Sequence, residues 1–336
     1  MTEPPRVSVV VPTYNRLARL HRVLQAVADQ SHPAGDIEVI VVSDGSSDWT
    51  DRYLTDGDLP RPVTAVLQEN AGPAAARNNG VRHASGELVL FLDDDVIPSR
   101  VLVAEHVRTH ADHPGTVVIG PMLTPEDHLM SPWVSWEQRM LYKQYDAMNA
   151  GLYTARARQF YTGNSSVSRD LLEAHEGFDE TYRRAEDIEL AYRLADDGVE
   201  FHYHDAARAY HYAERSFAAW CEIASEYGRT DIVFARLPGR EDLGSFVVHT
   251  FRQRTLPLRS LNWVTISSAV LRRVAVSSMT VAMRLGDRIG IPIVTRAALS
   301  AIYSVLYFGG MADELGGAKQ FRMLMTGRSK LQGISV

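Results

Sequence analysis

Three consecutive carboxylates, Asp93, Asp94 and Asp95, follow the apolar run Leu88–Leu92 without a break. Neighbouring carboxylates repel one another unless a cation lies close. Oxygen ligands of this kind suit Mg2+ or Mn2+, ions that also bind diphosphates. A solvated acidic turn would carry the same letters, but Phe91-Leu92 before the triplet and Val96-Ile97-Pro98 after it argue against full solvation. An Asp-X-Asp match alone is common by chance, so the triplet needs company. A second polar constellation, Arg184-Ala185-Glu186-Asp187, opens a predicted helix continuing to Asp196. Asp187 falls in its first turn, where the helix dipole supports a carboxylate and capping by itself would account for it. His202, His204 and His211 are the candidates to complete a metal site, although a strand histidine is more often packed and hydrogen-bonded.

Other polar clusters also follow apolar runs. Pro12-Thr13-Tyr14-Asn15-Arg16 comes after Val7–Val11, and Ser43-Asp44-Gly45-Ser46-Ser47-Asp48 after Ile37–Val42. Taken singly, Asp44 and these serines would be turn and N-cap residues. Asn70-Ala71-Gly72-Pro73 follows Val63–Leu67 and leads through Ala74–Ala76 into Arg77-Asn78-Asn79-Gly80. This is a helix start whose amides, with Arg77, could face a phosphate, although a lone arginine on a helix is ordinarily a surface residue.

The elements that must position these groups are legible too. Continuous β-branched runs mark strands covered on both faces, and Leu17, Leu20, Leu24 and Val27 recur at helical spacing over 17–28. Further helices are predicted near Ser47–Leu54 and Pro73–His83. Strands alternating with helices predict an α/β, Rossmann-like fold with a mostly parallel central sheet and right-handed crossovers. Ligands of such sheets bind beyond the carboxyl ends of the strands, where the clusters stand. Downstream, Gly163-Asn164 through Arg169 reads as a strand ending in a helix start near Asp170. Val199–Tyr203 and Ala206–Tyr212 read as two short strands.

Composition sets outer limits. The chain has 336 residues, 45% hydrophobic and 23% charged, the mix of an ordinary globular protein. Its single cysteine, Cys221, excludes an internal disulfide and a cysteine zinc site and fits a reducing compartment. The start, Met1–Arg6, has no basic-then-apolar signal pattern, so a cytoplasmic location is expected. The net charge of −6 is unevenly spread: from Arg252 onward 12 Lys/Arg face 3 Asp/Glu, against 23 and 38 before it. An acidic body makes nucleic acid an unsuitable partner.

The set Val9-Val10-Val11-Pro12-Thr13-Tyr14-Asn15, Val41-Val42-Ser43-Asp44-Gly45-Ser46-Ser47-Asp48, Asn70-Ala71-Gly72 with Arg77-Asn78, Phe91-Leu92-Asp93-Asp94-Asp95, Gly163-Asn164 and Glu186-Asp187 resembles glycosyltransferase family 2, of the GT-A fold. Order and spacing agree from residue 7 to about 235. The resemblance implies a GT-A domain over 1–235, with a nucleotide-sugar-binding half at 1–120 and an acceptor and catalytic half at 121–235. A helical basic region at 236–336 follows it. It implies that Asp44 accepts a hydrogen bond from the nucleotide base, cradled by Pro12, Thr13, Tyr14 and Asn15. Asn70 and Arg77 would lie near the base or diphosphate, and Asp93 or Asp94 towards the ribose. Asp93 and Asp95 form the metal-binding pair, completed by His211 rather than His204, and Gly163, Asn164 and Glu186 lie on the acceptor side. Asp187 becomes the general base of an inverting transfer. The third aspartate, Asp94, departs from the small polar residue of many relatives.

The chemistry implied is direct displacement. The anomeric carbon passes through an oxocarbenium-like state, Mn2+ or Mg2+ neutralises the leaving diphosphate, and Asp187 takes the proton of the acceptor hydroxyl. The donor would be UDP-, GDP- or dTDP-linked, because Asp44 can read uracil or guanine alike. The acceptor would be a glycan or lipid-linked hydroxyl. Two other readings compete. A nucleotidyltransferase would favour a glycine-rich, basic loop after the first strand, which Pro12–Asn15 is not. A catalytically inactive sugar-nucleotide-binding protein would not need the intact Asp93, Asp95 and Asp187 set. Beyond Leu256 the resemblance fades. Val264–Leu285 and Ile289–Phe308 are apolar but carry arginines, and Pro292 and Arg296 leave only about a dozen clean residues, too few to span a bilayer. The tail is therefore expected to lie peripherally on the inner face of the cell membrane, to pack on the enzyme's own core, or to form a homodimer. Residues after Thr326 are expected to be disordered.

Overall fold

The computed structural model describes residues 6–182, 184–237 and 239–328. The expectation for the extreme C-terminus falls mainly on residues 329–336, outside that range. The strands are β1 (Val7–Thr13), β2 (Ile37–Asp44), β3 (Thr64–Gln68), β4 (Leu88–Leu92), β5 (Val96–Pro98), β6 (Val117–Ile119), β7 (Met122–Leu123), β8 (Asn164–Ser168), β9 (Phe201–Tyr203) and β10 (Ala209–His211). The helices of the first part are α1 (Leu17–Ala28), α2 (Thr50–Asp56), α3 (Pro73–His83), α4 (Leu102–Asp112), α5 (Pro132–Asn149), α6 (Arg169–Ala174) and α7 (Glu186–Asp196). Then come α8 (Phe217–Arg236), α9 (Glu241–Arg252), α10 (Leu256–Thr265), α11 (Ala269–Arg288), α12 (Pro292–Glu314) and α13 (Ala318–Met325).

Among the described residues, seven strands form one sheet in the order β3-β2-β1-β4-β8-β6-β9, and β5-β10-β7 form a second. β1 lies between β2 and β4 and is parallel to both, so its side chains must be apolar on both faces. Val7, Val9, Val10 and Val11 are accordingly at most 1% exposed. On one side Val7, Val9 and Val11 share a core with Leu20, Val23, Leu24 and Val27 of α1, three of which stand among the residues at helical spacing. Burying each such side chain is worth about 1.5–3 kcal/mol. The sheet is mostly parallel, as expected, with one reversal: β8 runs antiparallel to both β4 and β6. That reversal pairs Leu92 with Asn164 and carries Gly163 to the end of β4.

The chain divides into two compact units, Met1–Leu129 with Gln138–Ala213, and Met130–Glu137 with Glu214–Val336. The boundary expected after Ala235 falls inside α8, and packing assigns α8 to the helical unit instead. A side chain at Gly310 of α12 would collide with the backbone of Ser225 on α8, so the two helices touch backbone to backbone. Tyr307 donates to Asp231, and Arg236 binds Glu314 at 3.1 Å. Pro292 does not cut the tail short. It stands in the first turn of α12, where its missing N–H costs nothing, and the helix runs for 23 residues. By length and composition α12 could cross a membrane, but 61% of its apolar window is buried inside the protein, as in a core helix.

Two of the first unit's buried histidines lie on α4. His106 and His110 of α4 each lie 2.8 Å from the Ser166 hydroxyl on β8, and His106 also meets Asn164 at 3.1 Å. Burial lowers their pKa values from 6.5 to about 3 and about 4. The unfolded chain therefore takes up these protons first. The stability they lend is complete above pH 6.5 and is lost as pH falls towards 4. His106→Gln should therefore lose less stability than wild type as pH falls from 6.5 to 4.5. Equal losses for the two proteins in urea titrations would refute this account.

Candidate active site

β1, β2 and β4 end on the same edge, and the loops beyond them are tied together. Asn15 adopts a left-handed backbone (φ 54°), and its side-chain carbonyl accepts from the amides of Ser47 and Asp48 at 2.7 and 3.2 Å. Its own amide donates to the Ser46 hydroxyl at 3.1 Å. Pro12 is half-buried, and Tyr14 keeps 50% of its surface open on this edge. The Asp44 carboxylate, expected to meet a base, is held by its own surroundings. It accepts from Gln68 at 2.7 Å and from the amides of Ala71 and Gly72 at 2.8 and 2.9 Å, while Asn70 donates to its backbone carbonyl at 2.8 Å. Asp44 and Asn70 thus shape the loop that opens α3.

The aspartate triplet does have its cations, and they are arginines. Arg16 donates to Asp94 at 2.9 Å and to Asp95 at 2.7 Å, and Arg19 reaches Asp95 at 3.2 Å. The Thr13 hydroxyl also donates to Asp94, at 2.7 Å. Asp93 turns the other way, to Arg77 at 2.9 Å. The three carboxylates therefore differ. Burial pushes Asp94 up to about 6 against the pull of Arg16 and Thr13. Burial acts on Asp95 as well, but His211, Arg16 and Arg19 outweigh it and bring the group down to about 2. Asp93 is the most open of the three, its side chain 36% exposed.

Arg77, expected near the base or diphosphate, is buried and joins two acids. It binds Asp93 on one side and Glu186 at 2.7 Å on the other. Glu186 is thereby an internal partner of Arg77, not a group turned to an acceptor. Asn78, one residue on, accepts from the amide of Phe178 and donates to its carbonyl, both at 2.8 Å, fastening the turn before α7. α7 starts after Ala185, whose backbone is left-handed (φ 60°). Asp187 follows Glu186 in its first turn and accepts from the Ile188 amide at 2.8 Å. Enclosure raises the Asp187 pKa, and the charge of Glu186 adds to the effect. The residue still keeps part of its surface open.

Gly163 is needed where it stands. A Cβ there would come within 2.6 Å of the Met122 sulfur and 3.0 Å of the Asp93 carboxylate. Asn164 is fully buried; its amide donates to the carbonyls of Pro121 and Ala207 at 3.1 and 2.8 Å. It is a structural tie between strands and faces no acceptor. The antiparallel pairing of β5 and β10 sets His211 against Val96, and its Nε2 lies 3.4 Å from the Asp95 carboxylate. Its Nδ1 is buried without a partner. His204 lies elsewhere, held by Glu105 at 2.7 Å and Arg108 at 3.1 Å, and His202 packs against the ring of His113. The expected trio of Asp93, Asp95 and His211 is not assembled as a chelate: among the described residues no group of three or more such side chains could hold a metal. What remains is the pair Asp95 and His211, one carboxylate and one imidazole. With substrate phosphates as the other ligands, a set containing an imidazole fits Mn2+ better than Mg2+, which keeps to oxygen ligands.

Sequence reading gave Arg16 and Arg19 no role. Arg16 stood in the first cluster, and the signal was the triplet itself, since three carboxylates ask for nearby cations.

A family model described as glycosyl transferase family 2 matches residues 8–174. Validoxylamine A glucosyltransferase of Streptomyces hygroscopicus subsp. jinggangensis is 34% identical over 221 residues, 58% of this chain and 52% of that protein. The pre-mycofactocin glycosyltransferase of Mycobacterium tuberculosis is 26% identical over 66% of this chain and 46% of its own length. The chain thus spans about half the length of the curated relatives it matches. Among solved structures, the mannosyltransferase PcManGT from Pyrobaculum calidifontis, in complex with GDP-Man and Mn2+, superposes with a TM-score of 0.56 at 22% identity, over 90% of this chain and 86% of its own. TarS 1-349 of S. aureus with UDP gives 0.51 at 19% identity, over 88% and 90%. At these identities the likeness is one of fold, and the fold is GT-A. With the family match over the residues that build this edge of the sheet, the chain belongs to glycosyltransferase family 2.

Proposed function

We propose that the chain transfers a sugar from a nucleoside-diphosphate donor to an acceptor hydroxyl, inverting the anomeric carbon. The observation that carries this reading is the double ion pair of Arg77, because it gathers the end of β4 and the start of α7 into one cluster. A diphosphate-facing acidic edge and a candidate base then adjoin one another. The reacting bonds balance simply. The acceptor oxygen bonds to the anomeric carbon, the bond from that carbon to the diphosphate oxygen breaks with its electron pair, and the acceptor proton passes to Asp187. A raised pKa suits that role, since a base working near neutrality must hold the proton it takes. Tyr14 and the loop ordered by Asp44 would border the nucleoside. Asp95 and His211 would hold Mn2+ or Mg2+, which when bound offsets charge on the leaving diphosphate. The family and the donors carried by GT-A neighbours, GDP-Man and UDP, support the donor class.

The direct test is hydrolysis and transfer across UDP-, GDP- and dTDP-sugars with Mn2+; a chain that turns over none of them defeats the proposal. Asp187→Asn should keep nucleotide affinity while transfer drops by about 10²-fold or more. The rise of kcat/KM with pH below neutrality should vanish in the same variant, because it reports deprotonation of this carboxyl. Near-normal turnover by Asp187→Asn would send the proton elsewhere.

Metal dependence gives a separate prediction. EDTA should weaken donor binding, and His211→Ala should do the same at limiting Mn2+, whereas His204→Ala, which only breaks the link to Glu105 and Arg108, should not. Calorimetric titration with the donor nucleotide distinguishes them. Indifference to EDTA, or an effect confined to His204, would count against Asp95 and His211 as the metal pair.

A further inference from the structure

We propose that the outer face of α11, with the turn into α12, is a docking surface for an anionic lipid bilayer. α11 packs on α12 along its inner side, and of its 20 residues only Met283 and Gly286 are buried. At about 100° per residue, Val270, Val274, Val281 and Leu285 fall within an arc of about 60°. They are 65%, 57%, 57% and 54% exposed. Ile289 and Ile293 continue the stripe across the turn at 64% and 69%. Single exposed aliphatic residues are ordinary, but a stripe along a helix, interrupted here only by the exposed Ser277 and Ser278, marks an interaction surface.

The charges on this face select the occupant. Arg273 and Arg284 flank the stripe, Arg288 ends it and Arg296 lies just past the turn, all exposed. None of the four makes an ion pair or hydrogen bond among the described residues. Arg272, on the inner side, is by contrast held by Asp313 at 2.6 and 2.9 Å. Asp287 is the one acid exposed along α11. A second copy of the chain meeting this face with its own would bring arginine against arginine. An anionic bilayer offers phosphates above and hydrocarbon below, in the order that arginine heads and aliphatic stems need. Because the apolar window of α12 is mostly buried, the helix pair would lie on the membrane and not cross it.

The test is co-sedimentation of the full chain with phosphatidylcholine vesicles, with and without phosphatidylglycerol, at low and high salt. Wild type should pellet with the anionic vesicles at low salt, and part of the binding should survive high salt because the apolar side chains are unscreened. Arg273→Glu with Arg284→Glu should weaken binding at least about tenfold. Val274→Glu with Val281→Glu should remove the salt-resistant part. Both pairs are exposed, and unchanged circular dichroism and nucleotide affinity would verify folding. If wild type ignores anionic vesicles at low salt, or both double variants bind as wild type does, the surface has another use. A wild-type dimer by light scattering that turns monomeric in Val274→Glu with Val281→Glu, without vesicle binding, would assign the face to a second copy and overturn the proposal.

Discussion

The buried strand β4 delivers three adjacent negative charges to the edge of the sheet, and much of the architecture around that edge answers this problem. An unpaired charge so close to a dry core is costly, and three in a row compound the cost. The counter-charges cannot come from β4's own neighbours in sequence, which are apolar. They come from the loop after β1, from α1, from α3 and from β10, as Arg16, Arg19, Arg77 and His211. Each of these segments reaches the triplet only because β1 lies beside β4 and because β5, continuing from the triplet, pairs with β10.

Neutralising the charges also divides their labour. Asp94 is enclosed with Thr13 and Arg16, Asp95 lies where two arginines and a histidine converge, and Asp93 remains the most open while facing Arg77. Arg77 then carries the same electrostatics across to α7. It binds Glu186, and the neighbouring carboxyl of Asp187 is left enclosed beside a charged partner, which raises its pKa. A buried ion pair of this kind is weak evidence for stability, but it fixes geometry, since either acid left alone would be an uncompensated buried charge. Gly163 serves the same edge by omission, because any side chain there would press on Asp93.

The helical unit follows different rules. Its core is aromatic, with Phe251, Phe308 and Phe321 in edge-to-face contact, and buried polar side chains meet within it, as Tyr307 does Asp231 and Asn262 does Ser304. Its outer helix instead leaves aliphatic side chains and arginines in the open together. An amphipathic helix that has already buried one side has no internal reason to carry a second apolar stripe, which is why that stripe is read as a surface for something else.

By itself the sequence determined the element types and the edge on which the polar clusters would gather. Continuous β-branched runs and the spacing of Leu20, Leu24 and Val27 are local patterns, and the rule that parallel strands expose their carboxyl ends to ligands needs no coordinates. Helices 17–28 and 73–83 and strand 88–92 were legible for that reason. The tertiary structure alone decided what each charged side chain faces. Asp44, Arg77 and Asn164 read as ligand contacts because their types can serve as such, yet each has its hydrogen-bonding groups turned inward by residues distant in the chain. The reversal of β8, the place of Pro292 at the start of α12 instead of across its middle, and the approach of His211 to Asp95 depend likewise on contacts that the folded chain sets. Hydrophobic periodicity is set over a few residues and can be read along the chain. Which cation meets which carboxylate is set by distance in space, and only the folded chain fixes that.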